Sequence, residues 1–313
     1  MEKNLKSAKQ QIIFWGTPEF SLASLKSLHQ KGWLKLVITQ PDRPAGRGLK
    51  KLSSPIKKYC LENKLKFLAP EKLDQEFVFE LKKYLPALFV VVAYGKIIPK
   101  EILDLSYLPA VNIHPSRLPQ LRGPSPIQTA ILRGFDSTAV SLMQLDEKMD
   151  HGPILGQIEV KIEPNEAYGE LSERLAVLGA ELLEQKIEVY LNGQLKPLTQ
   201  DHAQATYCRL LKKEEGKIDW HKSAQEIHNQ VRAFNPWPSA FCRLGDLEMK
   251  IIKSEVTDKE LAVGNVFFDK KNIIVGTAEK SLKILTLQPF AKKIMTAEEF
   301  IRGYQKYLSQ KFN

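Results

Sequence analysis

A run of seven apolar residues, from Ala87 to Ala93, presents no polar side chain on either face if it is extended. Such a strand must be covered on both sides, as in the centre of a parallel sheet flanked by helices. Earlier in the chain, a β-rich run at Gln11 to Trp15, a helical pattern at Glu19 to Lys31 and a second β-rich run at Leu36 to Thr39 form a βαβ rhythm. These patterns predict an α/β fold with a Rossmann-like, mostly parallel sheet.

A second pattern marks where a ligand would bind. We predict that a strand ends at Asn112 to His114, and that the next helix begins near Pro124 or Ser125 and runs to Arg133. Ligands of open α/β sheets bind beyond the carboxyl ends of the strands. Asn112, His114 and the loop after them are therefore expected in the ligand crevice.

Two domains are expected from a chain of 313 residues. We assign 1–204 to the α/β domain, with a long helix at Leu171 to Tyr190, and 205–313 to a smaller all-β, OB-like barrel domain. After a helix at Ser223 to Phe234, this domain has several short strand patterns, typical of small barrels. The predicted strands are Leu247 to Lys253, Gly264 to Phe268, Ile273 to Gly276 and Leu282 to Leu287.

The chain carries a formal charge of +10, which favours polyanionic partners but is weak evidence alone. Residues 209–313 hold 19 basic and 13 acidic side chains and contribute +6, while the first 208 residues, with 27 basic and 23 acidic, contribute +4. The second domain is therefore the more basic for its length.

Several function classes are disfavoured. The three cysteines, Cys60, Cys208 and Cys242, lie far apart and show no zinc-ligand spacing, so no metal is expected. The turn after the first strand, 16–19, lacks the glycine-rich fingerprint of an NAD(P) site. The N-terminal segment is too short in apolar residues for a signal or membrane span. We expect a cytoplasmic monomer that does not bind membranes.

Three polar residues in Val111 to Gly152 carry the chemistry: Asn112, His114 and, 36 residues past the histidine, Asp150. Attack of an amine on a formyl or acyl carbon needs hydrogen-bond donors for the carbonyl oxygen and an acceptor for the amine proton. Asn112 and His114 share one face of a strand and are predicted to donate, while Asp150 is predicted to hold the imidazole and accept the proton. These three are the predicted catalytic residues.

Each of these residues also has a purely structural interpretation. Asn112 can cap a turn, His114 can be a core histidine with its hydrogen bonds satisfied, and Asp150 can begin a turn. His151 has no partner at fixed spacing and is expected to be an exposed turn residue. Taken singly, the residues favour the structural interpretation; taken together, they favour chemistry.

Two loops are candidate binding segments. Between Arg43 and Lys58 there are six basic side chains and no acidic one, a composition that fits either a phosphate-backbone contact or a solvated loop. The loop from Val92 to Pro99 can line a pocket for a flat heterocycle or can be a simple strand-to-helix turn.

Together these motifs resemble the methionyl-tRNA formyltransferases, within the folate-dependent formyltransferases, over nearly the whole chain. The matching segments are Phe14 to Phe20, Gln40 to Gly48, Val91 to Gly95, Asn112 to Pro119, Arg122 to Gln128, Met149 to Pro153 and Arg232 to Pro238. The Asn-x-His and Asp-x-Gly elements are shared by the wider group, whereas the basic loop and the 234–238 segment resemble the tRNA-specific branch.

The resemblance implies a formyl donor, 10-formyltetrahydrofolate, and an acceptor, the α-amine of initiator methionyl-tRNA. It implies catalysis by Asn112, His114 and Asp150. The implied folate contacts are Ser116, Arg117, Leu118 and Pro119 with Tyr94 and Gly95, and the implied tRNA contacts are Arg43, Arg47, Lys50 and Lys51. The family's usual folate segment reads Ser-Leu-Leu-Pro, so Arg117 is a departure that can alter donor affinity.

Two alternatives stay open from the residues themselves. A formyltransferase acting on a small amine, such as a sugar nucleotide, would need the catalytic residues but not the basic loop. A non-catalytic RNA-binding protein built on an OB-like module would need neither Asn112 nor His114.

Overall fold

The computed structural model describes residues 11–45 and 50–312. The first compact unit consists of three chain segments: the residues up to Gly123, Thr138–Val160 and Ser172–Tyr207. Its strands are β1 (Ile12–Gly16), β2 (Leu34–Ile38), β3 (Arg43–Ala45), β4 (Lys50–Leu52), β5 (Phe67–Leu68), β6 (Leu88–Val92), β7 (Val111–His114), β8 (Ser137–Gln144) and β9 (Ile154–Lys161). The ends of β8 and β9 extend past the unit's boundaries.

Seven of these strands form one sheet in the order β5-β2-β1-β6-β7-β8-β9 within the described residues. Strands β1, β2, β5, β6 and β7 pair in parallel, and β8 runs antiparallel to β7. The predicted Rossmann-like, mostly parallel sheet is confirmed. The all-apolar strand β6 lies in the middle and is buried throughout, as its composition required.

Helices alternate with the strands. They are α1 (Leu22–Gln30), α2 (Pro55–Glu62), α3 (Gln75–Lys82), α4 (Lys100–Leu103), α5 (Pro126–Leu132), α6 (Tyr168–Leu191), α7 (Ala224–Phe234) and α8 (Ala297–Gly303), with 3-10 turns at Glu19–Ser21, His202–Gln204, Lys213–Gly216 and Gln305–Tyr307. Side chains cap several of them: Ser54 accepts from the Lys57 amide and Asp74 from the Phe77 amide. Local sequence thus fixes where these helices begin.

The core of the first unit packs against the sheet. Trp15 is fully buried and makes edge or tilted ring contacts with Phe77, Phe89 and Tyr94, with centroids 5.1–5.8 Å apart. On a different strand, Ile113 packs so closely on α6 that a Cβ at Gly179 would lie 2.8 Å from its Cγ2 atom. This contact fixes which face of β7 is turned toward the helix.

The second compact unit runs from Cys208 onward and includes Pro124–Ser137 and Lys161–Leu171. Its antiparallel sheet has the order β10-β11-β14-β13-β12, with β15 paired to β14. The strands are β10 (Ala240–Leu244), β11 (Leu247–Thr257), β12 (Val266–Phe268), β13 (Ile273–Gly276), β14 (Ser281–Pro289) and β15 (Met295–Thr296). The predicted second β domain is confirmed, and its sheet is antiparallel.

Within this unit α7 packs on β11 and on α5. Because of this packing, α5 belongs to the second unit although it comes earlier in the chain. Ser223 and Glu226 form a capping box at the start of α7, and Thr296 and Glu299 form one at α8. The single domain boundary between residues 204 and 205 stays a prediction. No helix among the described residues is long and apolar enough to cross a membrane.

Candidate active site

Strand β7 positions the first two candidate residues. Because Ile113 faces α6, the side chains of Asn112 and His114 point to the opposite face of the strand. Both are buried, with exposed fractions of 9% and 4%. The amide of Asn112 makes no hydrogen bond to any residue that the structure describes. The Asn112 amide therefore has donor and acceptor capacity open to a ligand.

Each ring nitrogen of His114 faces an oxygen atom. Its Nε2 atom lies 3.0 Å from the carbonyl oxygen of Leu121, which can only accept, so Nε2 carries a proton. Its Nδ1 atom lies 3.6 Å from Oδ1 of Asp150. That separation is within ion-pair range but longer than a hydrogen bond. The Nδ1 position therefore faces a carboxylate, and because Nε2 carries a proton, Nδ1 can donate to a ligand only when the ring carries both protons.

Asp150 is held in a turn by backbone contacts. Its Oδ2 atom accepts a hydrogen bond of 2.7 Å from the Gly123 amide, and its own backbone has a positive φ of 51°. Gly152 has no room for a side chain, since a Cβ there would lie 2.1 Å from the Gln144 carbonyl oxygen. The turn thus brings a residue 36 positions after His114 to that imidazole.

Sequence reasoning missed a residue that contacts this turn. Gln200 is buried and donates from Nε2 to the carbonyl oxygens of Asp150, at 3.0 Å, and Gly152, at 2.7 Å. Its Oε1 atom accepts from Nε and Nη2 of the buried Arg122, at 3.1 and 2.7 Å. Arg122 belongs to a segment that resembles the family, but no local pattern signals Gln200.

His151 is not the exposed turn residue that the sequence predicts, and that prediction is wrong. Its Nδ1 atom lies 2.6 Å from Oδ2 of Asp146, and its ring stacks on His202 with centroids 3.9 Å apart. Desolvation, His151 and Arg122 lower the pKa of His202. Since Arg122 donates to Nδ1 of His202 at 2.9 Å, that imidazole is neutral.

The predicted folate segment, residues 116–119, is a tightly bonded turn. The Ser116 hydroxyl donates to the Gln120 carbonyl oxygen, and Leu118 is buried. Arg117 is partly exposed and forms an ion pair with Glu159. Any folate contact by Ser116 would therefore use an atom other than the hydroxyl proton, and the contacts of Ser116, Arg117, Leu118 and Pro119 with folate stay predictions.

Tyr94 and Gly95 follow the central strand. Tyr94 is buried, its hydroxyl has no hydrogen-bond partner within the described part of the chain, and burial raises its pKa to about 12. Thr17 donates to the Tyr94 carbonyl oxygen at 2.8 Å, so the turn at 16–19 supports this loop. Gly95 is exposed with a φ of 85°. Unpaired polar atoms and exposed backbone at a strand end suit a ligand loop.

Within the predicted basic segment, strands β3 and β4 pair in antiparallel fashion, with Arg43 opposite Leu52. Arg43 is exposed and donates to Oε1 of Gln40. For Lys50 and Lys51 the structure describes the backbone alone, and Arg47 lies outside the described residues.

The arrangement of Asn112, His114 and Asp150 suits formyl or acyl transfer to an amine. An unpartnered amide and an imidazole on one strand face provide donors for an oxygen that gains negative charge, and the adjacent carboxylate provides a proton acceptor. Among the described side chains, no group of three or more His, Cys, Asp or Glu residues is placed to hold a metal ion.

Comparison with protein families agrees with this chemistry. The formyl transferase model matches residues 9–187, and the formyl transferase C-terminal domain model matches residues 210–305. The chain therefore belongs to the formyl transferase family.

Its similarity to individual members extends over nearly the full length. It is 47% identical to a methionyl-tRNA formyltransferase of Thermodesulfovibrio yellowstonii, covering 93% of this chain and 95% of that protein. It is 39% identical to a methionyl-tRNA formyltransferase of Myxococcus xanthus, covering 95% and 96%. The resemblance seen in the sequence motifs is confirmed.

Solved structures share the fold. An N-formyltransferase from Helicobacter canadensis, in complex with folinic acid and dTDP-3-aminofucose, superimposes with a TM-score of 0.68 at 22% identity, covering 90% of this chain and all of that one. A methionyl-tRNA formyltransferase from Clostridium thermocellum gives 0.55 at 20% identity, covering 85% and all of that chain.

Proposed function

We propose that this protein transfers the formyl group of 10-formyltetrahydrofolate to the α-amino group of initiator methionyl-tRNA. The observation that carries the proposal is the match, over more than nine-tenths of the chain and of each relative, to proteins named for this reaction. In the proposal the enzyme works in the cytoplasm as a monomer.

The proposed chemistry uses the three polar residues of the site. The amine nitrogen attacks the formyl carbon, a new carbon–nitrogen bond forms, and the bond to the folate nitrogen breaks. Asn112 donates to the formyl oxygen as its negative charge grows, and the Nδ1 position of His114 donates there when the ring carries both protons. Asp150 accepts the amine proton, directly or through a water, and the folate nitrogen takes up a proton as tetrahydrofolate leaves. Support comes from the amide of Asn112, unpartnered among the described residues, and the 3.6 Å between His114 and Asp150.

The proposed donor site lies at the carboxyl ends of the central strands. Two features of the chain fit a folate there: the buried hydroxyl of Tyr94, unpaired among the described residues, and the rigid turn formed by residues 116–119. An unpaired buried hydroxyl is compatible with a ligand that supplies hydrogen-bond groups. Gly95, exposed and without a side chain, allows backbone atoms to approach a flat ring.

The proposed acceptor contacts are the basic side chains of the 43–51 segment, Arg43, Arg47, Lys50 and Lys51. A segment from Arg43 to Lys58 with six basic side chains and no acidic one supports a contact with phosphates. The +6 charge of residues 209–313 supports a further contribution from this C-terminal part of the chain.

The decisive experiment is incubation of the full chain with methionyl-tRNA and 10-formyltetrahydrofolate, with initiator and elongator tRNA side by side. N-formylmethionine on the initiator tRNA is expected. A folded protein that yields none would reject the proposal.

A charge-matched pair of variants tests the acceptor class. Replacing Arg43, Arg47, Lys50 and Lys51 with glutamine should weaken tRNA binding and flatten its salt dependence, with the slope falling by roughly 0.7–0.9 for each phosphate that is no longer neutralised. The control replaces four exposed lysines outside the 43–51 segment, Lys64, Lys66, Lys72 and Lys82, and should leave the slope nearly unchanged. Equal slopes for both variants would point to a small-amine acceptor.

A further inference from the structure

We propose that Gln200, braced by Arg122, is a positioning residue that fixes the turn carrying Asp150 for formyl transfer. The inference rests on the proposed function, because it assigns Gln200 a role through the proton acceptor of that reaction.

Both the oxygen and the nitrogen of the Gln200 side-chain amide are hydrogen-bonded. Its Nε2 group donates to the carbonyl oxygens of Asp150 and Gly152, and its Oε1 atom receives two hydrogen bonds from the guanidinium of Arg122. Because the guanidinium can only donate, it fixes which end of the amide faces the turn. Arg122 and Gln200 are 2% and 4% exposed, so water does not compete freely with these bonds.

The turn needs such a support. Asp150 adopts a φ of 51°, a left-handed conformation that is sterically unfavourable for a residue with a Cβ. Strained backbone of this kind persists where surrounding contacts hold it. Gln200 donates to the carbonyl oxygens of Asp150 and Gly152, and therefore restrains the peptide groups that follow these two residues.

Three consecutive residues join this support to the rest of the site. The Leu121 carbonyl accepts from His114, the Arg122 side chain holds Gln200, and the Gly123 amide donates to the Asp150 carboxylate. Thr206 secures this segment through its hydroxyl and carbonyl oxygens, which accept from the amides of Leu121 and Arg122. The 121–123 segment thus sets His114 and Asp150 relative to each other.

The consequence concerns rate more than binding. A misplacement of about 1 Å at a reacting group can cost roughly 10²-fold in rate. Gln200 contacts the backbone of the turn and no group proposed to bind folate or tRNA. Its loss should therefore lower kcat and leave KM for both substrates nearly unchanged.

The test compares Gln200→Glu with Gln204→Glu, the same chemical change at an exposed glutamine four residues away. Gln200→Glu keeps an acceptor for Arg122 but turns an oxygen toward the two carbonyl oxygens. We expect kcat for methionyl-tRNA formylation to fall about 10- to 10²-fold, with KM changed less than about threefold. Gln204→Glu should match the wild type.

A double variant separates positioning from a general structural role. If Gln200 acts through Asp150, adding Gln200→Glu to Asp150→Asn should lower kcat little further, because the group being positioned is already lost. Multiplicative losses, or an unchanged kcat in folded Gln200→Glu, would overturn the inference. Should that variant not fold, Gln200→Met, nearly equal in size, is measured in the same cycle. A wild-type protein that does not formylate methionyl-tRNA would instead overturn the proposed function.

Discussion

Among the described residues, each compact unit contains one histidine that is about 95% buried, and the two make different contacts. Both direct Nε2 at a backbone carbonyl: His114 at Leu121, 3.0 Å away, and His228 at Pro164, 3.4 Å away. At Nδ1, His114 faces the carboxylate of Asp150, whereas His228 faces the hydroxyl of Ser254 at 3.2 Å. The two histidines therefore differ in the partner of Nδ1: a carboxylate that can accept a proton at His114, and a hydroxyl in a structural contact at His228.

The asparagines near these histidines repeat the contrast. Asn112 has no hydrogen-bond partner among the described residues, whereas Oδ1 of Asn229 accepts from Arg232 and Gln225. Burial alone thus does not mark a functional polar residue. A buried polar group whose hydrogen bonds are incomplete is the informative observation.

The largest expected effect comes from removing the carboxylate beside His114. Asp150→Asn should lower kcat by at least about 10²-fold while folding and tRNA affinity are kept, because the carboxylate serves proton transfer. Single-turnover formylation rates measure the change. Asp146→Asn, which removes a carboxylate from the neighbouring loop, is the control and should cost only a few-fold. An unchanged rate in Asp150→Asn would remove this residue from the mechanism.

The next effect contrasts the two asparagines. Asn112→Ala should lower kcat about 10²- to 10³-fold, the usual cost of losing an oxyanion donor, with little change in stability. Asn229→Ala should instead destabilise the fold by roughly 1–3 kcal/mol, because the buried guanidinium of Arg232 loses one of its two acceptors among the described residues and keeps only the Glu166 carbonyl oxygen. Urea unfolding and kcat per folded enzyme measure both variants. Rate loss in Asn229→Ala without loss of stability would break the comparison.

The smallest effect is a pH dependence of stability. Burial lowers the pKa of His228 below its usual 6.5, with smaller lowering from Arg232. In the unfolded chain this histidine takes up a proton as the pH falls through about 6.5, whereas in the folded chain it stays neutral to lower pH. The stability that the neutral, buried His228 contributes is therefore fully present above about pH 6.5 and is lost as the pH drops below that value.

His228→Gln should remove that part of the acid sensitivity. Urea midpoints at pH values of about 7.5 and 5.5 for the wild type and the variant measure it, and the wild type should show the larger fall. Equal falls would mean that the proton uptake of His228 does not differ between the folded and unfolded chains.

Much of the fold followed from local patterns. The buried strand, the βαβ start, the helix after β7 and most strands of the second unit were predicted within a few residues. Strand β10 and the antiparallel course of β8 were not, because no local signal states which strand a segment will pair with. The hydrogen-bonded roles of His151 and Gln200 were missed for the same reason.

The sequence by itself determined which residues share a face: the two-residue period of a strand places Asn112 and His114 together wherever the strand lies. Tertiary structure decided that a turn 36 residues later delivers Asp150 to that imidazole, that Gln200 holds the turn, and that His228 meets a hydroxyl instead of a carboxylate. The physical reason is that the alternation of side chains along a strand depends only on neighbouring residues. Contacts between residues far apart in the sequence depend on how distant segments pack.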